Sequence, residues 1–278
     1  MSNYAVSGAA CSNAITPRIE PRTRIPYPSV LEYEVPAFLT DDRRHRRPPE
    51  STVFAIWIGT NDLGYEGFLT DSQARNATIA TYVDCVYHAL DTVYAEGGRH
   101  FVLMNLAPLQ LAPLYAVPEH GGTTAEESWY WSSKPENITE VSYRMKEQVA
   151  ALNQVFAYRT PYELLIARRY PGARFAVMDM YGLVCFHSDF RLPGGLLPHK
   201  LILQLSDLYY YPSDYPEIKN VSSWVNRCDK ESRQCERLPN PEQYMWFDEL
   251  HPSEQTDRIV AEHFIEVIEG KSRWASYW

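Results

Sequence analysis

Long apolar runs are missing from this sequence, and that absence excludes a membrane-spanning helix. No stretch approaches the roughly 18 consecutive apolar residues that such a helix needs. The opening residues, MSNYAVSGAACSN, also lack the basic and apolar regions of a secretory signal peptide. Positive charge is not in excess either, because the formal net charge is -9 over 278 residues. A chain of this charge gains nothing electrostatically from nucleic acid or an anionic membrane.

Cysteine is scarce, with five residues in the chain. Cys228 and Cys235 lie close together in CDKESRQC, and a short spacing of this kind favours a disulfide over two free thiols. Pairing among Cys11, Cys85 and Cys185 stays open, and the odd total leaves one thiol without a partner in this chain.

Three N-x-S/T sequons stand at Asn76, Asn137 and Asn220. One sequon is close to chance, but three of them beside a close cysteine pair favour an oxidising compartment. We therefore expect an extracellular glycoprotein, although the residues printed contain no signal peptide.

Apolar strand patterns alternate with amphipathic helical patterns along the chain. Strands are predicted at TVFAIWIG (52–59, with Trp57 in the core), 99–109 and 173–184, and helices at 71–96, 139–170 and 253–269. Residues 14–50, rich in Pro and Arg, are predicted to be a solvated loop, and 187–247 a long irregular stretch. This order predicts a single α/β domain over 1–278, with a parallel sheet covered on both faces. Binding sites in such sheets lie at the carboxyl ends of the strands.

Three short stretches are expected to meet at that edge. Gly8 in NYAVSGAAC can offer a backbone N–H, and Asn61 in GTND can offer a side-chain amide. In DELHP, Asp248 can orient His251 as a general base. Two donors, one base and one orienting acid are the groups that acyl transfer requires. Each stretch alone has a plainer interpretation, since GTND is also a turn sequence and Asp-x-x-His-Pro also a helix entrance.

NYAVSGA, WIGTNDLG and FDELHPSEQT, in this order and spacing, resemble the GDSL/SGNH esterase–acylhydrolase family. The resemblance extends over essentially the whole chain and is closest to fungal acetylesterases that act on carbohydrates; LMNLAPLQLAPLY also looks like that group. It implies a flavodoxin-like three-layer α/β/α fold and a Ser-His-Asp mechanism. Gly8 and Asn61, the latter set by Gly59, would form the oxyanion hole, with His251 as base and Asp248 as its partner. A small acyl ester or acetylated oligosaccharide would be the substrate, with no cofactor.

One departure from the family pattern concerns the nucleophile. The family's Gly-Asp-Ser segment after its first strand is absent from this chain, so we expect an N-terminally truncated fold. The first strand and most of the second would be missing, an apolar strand edge would be exposed, and the serine would lie upstream. Ser7 is a poor substitute, because no strand-to-helix turn presents it. Two alternatives remain open: an inactive carbohydrate-binding or interaction protein, and direct activation of water by His251, Asp248 and Asn61.

Aromatic residues beside these motifs are candidates for a substrate pocket. Trp246 precedes Asp248 and Tyr65 follows GTND; either can line an acyl or sugar pocket, or simply pack its loop. Ser253 is predicted to cap the last helix. His187 and Asp189 lack a third ligand at useful spacing, so no metal site is expected.

Overall fold

A four-stranded sheet lies at the centre of the fold, in a computed structural model that describes residues 1–45, 48–187, 218–229 and 234–278. Its strands follow the order β1-β2-β3-β8, and two two-stranded sheets pair β4 with β7 and β5 with β6. The strands are β1 Val53–Ile56, β2 His100–Met104, β3 Arg174–Met178, β4 Asn220–Trp224, β5 Asn226–Cys228, β6 Cys235–Arg237, β7 Tyr244–Trp246 and β8 Ala275–Tyr277. The helices are α1 Val35–His45, α2 Thr60–Leu63, α3 Ile79–Ala95, α4 Ile138–Pro161, α5 Met180–His187 and α6 Glu254–Ile268.

The central sheet has a helical layer on each face, as the alternation of side chains along β2 makes clear. Phe101 and Leu103 join the apolar cluster formed with α3 and α4, whereas Val102 and Met104 join a second cluster that contains residues of α6. Successive side chains of a strand point to opposite faces, so both faces of the sheet are covered. β1, β2 and β3 are parallel, which confirms the predicted α/β fold class. The antiparallel strand β8 was not predicted.

The first predicted strand is at an edge of the sheet rather than fully buried. Within the described ranges β1 pairs with β2 alone, and its residues alternate between exposed and half-buried. Trp57, predicted in the core, is 40% exposed. The open side of β1 borders an apolar groove of about 460 Å³, whose lining includes Met1, Tyr4, Phe38 and Phe54. An open apolar edge was expected, but the prediction that Trp57 is buried was wrong, because no second strand among the described residues pairs with β1.

Several helix and strand boundaries differ from the predictions. The helix predicted from residue 71 begins at Ile79, because Thr78 forms a capping box with Thr81. The predicted loop over 14–50 contains α1, which continues directly from a helical turn at Val30–Glu34. The predicted strand 173–184 ends at Met178, because Asp179 starts α5 by accepting a hydrogen bond from the Gly182 N–H at 3.0 Å.

Two disulfides stabilise separate parts of the chain. The predicted bond between Cys228 and Cys235 is confirmed, and it joins β5 to β6. A second bond, which the sequence left open, joins Cys11 to Cys85 on α3. Cys185 belongs to neither disulfide. Asp189 and most of the predicted irregular stretch lie outside the described residues. No helix in the described ranges combines the length and apolar character needed to cross a membrane.

Candidate active site

The loop DELHP connects β7 to α6 and is closed by backbone hydrogen bonds. The Phe247 N–H donates to the His251 carbonyl at 2.8 Å, and Trp246 forms an isolated β-bridge with Pro252. Ser253 caps α6 as predicted, accepting a hydrogen bond from the Thr256 N–H at 3.1 Å. The loop is therefore held at both ends, and its tip presents the Asp-x-x-His sequence.

Asp248 and His251 form a hydrogen-bonded pair. His251 Nδ1 lies 2.9 Å from Asp248 Oδ2 and 3.0 Å from Oδ1. The Asp248 side chain is 14% exposed, whereas that of His251 is 51% exposed. With Nδ1 donating to the carboxylate, Nε2 is the ring nitrogen that can accept a proton. This is the arrangement of an oriented general base.

Electrostatic interactions favour the charged forms of both Asp248 and His251. The hydrogen bond to Asp248 raises the pKa of His251, while burial acts in the opposite direction. Burial alone would raise the pKa of Asp248, but hydrogen bonds from the His251 side chain and from the His251 and Leu250 backbone N–H groups lower it. Asp257, on α6, also acts on His251 and raises its pKa. Asp248 therefore remains ionised and stabilises the imidazolium form of His251.

The loop around Gly8 is held in a left-handed backbone conformation. Gly8 has φ +84°, and a Cβ at this position would lie 2.8 Å from the Tyr27 ring. Arg18 donates from Nη1 to the Gly8 carbonyl at 2.5 Å, packs over the Tyr27 ring and forms an ion pair with Glu66 at 2.8 Å. Only Gly8 was predicted from the sequence to have a role here, because Arg18, which holds the loop, belongs to no recognisable motif.

The GTND turn packs directly against that loop. Gly59 adopts φ +126°, as the turn requires, and Asn61 donates from Nδ2 to the Ala9 carbonyl at 2.9 Å. The two predicted oxyanion donors therefore belong to adjacent, mutually bonded segments. One of the two amide hydrogens of Asn61 is used by this contact, and the other remains to donate elsewhere.

Asp62, the last residue of GTND, is fully buried between the two segments. Its carboxylate accepts from the Cys11 N–H at 3.0 Å and from Thr16 Oγ1 at 3.0 Å. Burial raises the pKa of Asp62 to about 7, although these hydrogen bonds and Arg18 act to lower it. Asp62 thus fastens the Gly8 loop to the turn that carries Asn61.

A segment that we name the bridging segment, residues 106–134, connects the GTND turn with the DELHP loop. Tyr65 stacks on Trp131 of this segment with ring centroids 5.5 Å apart. The neighbouring Tyr130 donates its hydroxyl to Asp248 Oδ2 at 2.8 Å. The Leu114 N–H donates to the Glu249 carbonyl at 2.7 Å. Through this segment, packing contacts run from the GTND turn to the Asp248–His251 pair.

Glu249 is a buried anchor of the bridging segment. Only 3% of the residue is exposed, and its carboxylate accepts from Ser128 Oγ at 2.9 Å, from the Tyr130 N–H at 2.7 Å and from Thr123 Oγ1 at 3.0 Å. Lys134 lies nearby and donates from Nζ to the Thr123 carbonyl at 2.5 Å. Burial lowers the pKa of Lys134 to about 8, and Glu249 opposes that shift. Sequence reasoning missed Glu249 and Tyr130, because their partners lie about 120 residues away in the chain.

The candidate pocket aromatics have different environments. Trp246 is 4% exposed, and its indole N–H donates to the Val221 carbonyl at 3.0 Å, so its side chain packs in the core. Tyr65 is half-buried, and the neighbour of Trp246, Phe247, is 38% exposed. The packing interpretation therefore holds for Trp246, whereas Tyr65 and Phe247 remain accessible.

No hydroxyl group in the described ranges is hydrogen-bonded to His251, whose recorded side-chain partner is Asp248. Ser7 is exposed, and Ser12 donates to Glu32 at 2.5 Å. The described residues thus contain the predicted base with its orienting acid, and they bring the two predicted oxyanion donors together.

Comparison with known proteins identifies the family. The profile of the GDSL-like lipase/acylhydrolase family matches residues 1–264, and the chain belongs to this family. The chain is 34% identical over 282 residues to an acetylesterase of Hypocrea jecorina, an alignment that covers 99% of this chain and 74% of the relative. It is 25% identical over 118 residues to an acetylesterase of Thermothelomyces thermophilus, covering 40% of this chain and 35% of the relative. A GDSL esterase/lipase of Arabidopsis thaliana is 22% identical over 228 residues, covering 78% of this chain and 52% of the relative.

Family membership defines the class of enzyme. The protein belongs to the carboxylic ester hydrolases of the GDSL type, as its family and its acetylesterase relatives establish. The mostly parallel sheet with helices on both faces agrees with the fold of this class.

Proposed function

We propose that this protein removes acetyl or other short acyl groups from carbohydrates by a Ser-His-Asp mechanism. The observation that carries the proposal is the pair of Asp248 and His251, whose side chains are joined at 2.9 Å with His251 half exposed. His251 Nε2 takes the proton of a serine hydroxyl as that oxygen attacks the ester carbonyl. The same imidazolium then gives the proton to the leaving alcohol, and a water molecule repeats the sequence to release the acid.

Gly8 and Asn61 are proposed as donors to the oxyanion that forms in each of these two steps. The left-handed conformation of Gly8 and the contact between Asn61 and Ala9 support this role, because both fix the donors before substrate binds. Arg18 and Asp62 would then act as supports of the oxyanion loop.

The nucleophilic serine is proposed to lie in polypeptide that pairs with the open edge of β1. The apolar groove along this edge supports the proposal, because its lining includes Val53 to Ile56 together with Met1, Ser2 and Tyr4. A strand in this groove would bury apolar surface on both sides and satisfy the unpaired backbone groups of β1. Its carboxyl end would point toward the GTND turn, since the neighbouring strands are parallel.

Carbohydrate acetyl esters are the proposed substrates because two of the relatives are acetylesterases. Tyr65 and Phe247 are the proposed aromatic wall of the substrate pocket, and their partial exposure supports this choice. Trp246 is left out of the pocket because its side chain is buried.

An extracellular location is proposed from the two disulfides and the three sequons. Asn76 and Asn137 are exposed, and Asn220 is half-buried in β4. Asn137 caps α4 through Oδ1, which accepts from the Glu140 N–H at 3.2 Å. A glycan attached at Nδ2 would leave that oxygen in place, so glycosylation and capping are compatible at this residue.

The test compares two forms of the protein, the chain over 1–278 and a longer form that includes any in-frame upstream polypeptide. Each is treated with a fluorophosphonate probe and assayed with 4-nitrophenyl acetate and acetylated xylo-oligosaccharide. We expect labelling and hydrolysis in the longer form, loss of both in its His251→Ala variant, and neither in residues 1–278 alone. Labelling of Ser7 in the shorter chain would overturn the proposed source of the nucleophile.

A further inference from the structure

Tyr130 reaches the Asp248–His251 pair from a distant part of the chain. Its hydroxyl donates to Asp248 Oδ2 at 2.8 Å, and its ring meets the His251 ring edge-on with centroids 5.8 Å apart. The tyrosine therefore touches both members of the proposed catalytic pair.

The carboxylate of Asp248 is saturated with donors. Oδ1 accepts from the Leu250 N–H at 2.9 Å and the His251 N–H at 2.7 Å. Oδ2 accepts from Tyr130 at 2.8 Å and lies 2.9 Å from His251 Nδ1. These contacts fill the roughly four lone-pair positions of the two oxygens, and among the described residues Tyr130 is the donor that comes from outside the loop.

Tyr130 is itself held firmly. Its backbone N–H donates to Glu249 Oε1 at 2.7 Å, and Glu249 is the residue that follows Asp248. Asp248 binds the side chain of the tyrosine while Glu249 binds its backbone, so the two neighbouring carboxylates fix one residue at two points. Burial and Asp248 together raise the pKa of Tyr130, which keeps its hydroxyl a neutral donor.

We propose that Tyr130 is a positioning residue that fixes the Asp248 carboxylate and sets the proton affinity of His251. The proposal rests on the proposed role of His251 as the base. A donated hydrogen bond spreads the negative charge of Asp248, so the carboxylate attracts the imidazolium less strongly. Removing the hydroxyl leaves the full negative charge of Asp248 to interact with His251, and it allows the carboxylate group to rotate.

The charged groups that face His251 shift its pKa in defined directions. Asp248 on its own loop and Asp257 on α6 both raise the pKa of His251. Tyr130 faces the pair from the bridging segment, and Glu249 and Tyr65 both raise the pKa of Tyr130. Loss of Tyr130's hydroxyl and loss of Asp257's charge should therefore move the pKa of His251 in opposite directions.

The test is an NMR titration of the imidazole nitrogens of His251, assigned with a His251→Asn variant. In Tyr130→Phe we expect the pKa of His251 to rise by about half a pH unit or more, since a hydrogen bond to a charged group is among the stronger ones. Asp257→Asn should lower it. Tyr158→Phe is the matched control, because this tyrosine is exposed on α4 and should leave the pKa unchanged. An unchanged pKa in folded Tyr130→Phe would overturn the proposal.

This titration needs no turnover, so its result is independent of the proposed esterase mechanism. In the active longer form, the acid limb of kcat/KM should shift upward by the same amount in Tyr130→Phe, with KM unchanged. If the titration moves as expected while His251→Ala retains activity, the proposed mechanism fails and the role of Tyr130 in setting the pKa stands. If His251→Ala is inactive but the titration does not move, Tyr130 is a packing residue only.

Discussion

Removal of the disulfide between Cys11 and Cys85 should lower the free energy of unfolding by about 4.4 kcal/mol. The two cysteines are 74 residues apart, and closing a loop of this length removes about 15 cal/mol/K of entropy from the unfolded chain. The bond between Cys228 and Cys235 closes a loop with a separation of 7, for which the same relation gives about 2.4 kcal/mol. The long-range disulfide should therefore be the more important of the two.

The comparison uses two double variants, Cys11→Ala/Cys85→Ala and Cys228→Ala/Cys235→Ala. Both are unfolded with urea at pH 7 and followed by tryptophan fluorescence. Cys11 and Cys85 are also buried, so the first variant loses core packing in addition to the cross-link. A loss in the first variant equal to or smaller than that in the second would refute the loop-closure reasoning. It would indicate that the hydrogen bonds of Asp62 to Cys11 and Thr16, rather than the cross-link, hold the Gly8 loop in place.

Three further variants test the supports of the site. Gly8→Ala should reduce activity more than tenfold and lower the free energy of unfolding by about 2 kcal/mol or more, because the alanine would have a positive φ and its Cβ would clash with Tyr27. Gly172→Ala is the control: Gly172 has φ +75° with open space around it, so this variant should lose only the free energy that the positive φ costs. Burial raises the pKa of Asp62 to about 7, so between about pH 4 and 7 the folded state holds a proton that the unfolded state has released. The contribution of Asp62 to the free energy of unfolding should therefore fall as pH rises through this range. Asp62→Asn should reduce this pH dependence, as measured by urea unfolding at several pH values. Glu249→Gln should lose about 1–3 kcal/mol, because an amide cannot accept all the hydrogen bonds that the carboxylate accepts and the charge near buried Lys134 is removed. Addition of Lys134→Met should recover part of the loss, and full additivity of the two changes would contradict this.

Much of the fold could be predicted because its segments carry regular patterns. β2 and β3 are apolar on both faces, which indicated a parallel sheet covered by two layers, and α6 begins with the predicted serine cap. The sequence was less informative where a side chain decides a boundary. The capping box at Thr78 and the Asp179 hydrogen bond to Gly182 are local features, but several competing helix starts lie beside each of them.

Sequence reasoning reached only those candidate residues that belong to a recognisable motif. Asp248 and His251 share one loop, so their spacing alone indicated an oriented base. Tyr130 and Arg18 act through contacts that the fold creates, and no periodicity or motif distinguishes them from other polar residues. The burial of Trp246 was also beyond the sequence, because it depends on pairing between β7 and β4.

The central claim is that His251 activates a serine in a segment that pairs with the edge of β1. The most direct measurement is mass-spectrometric identification of the fluorophosphonate-labelled residue in protein purified from its natural source, with a His251→Ala variant of the same form as control. We predict one labelled serine, in a Gly-Asp-Ser segment upstream of Met1, and no label in the variant. A label on a serine within residues 1–278, or a label that persists in His251→Ala, would contradict the account.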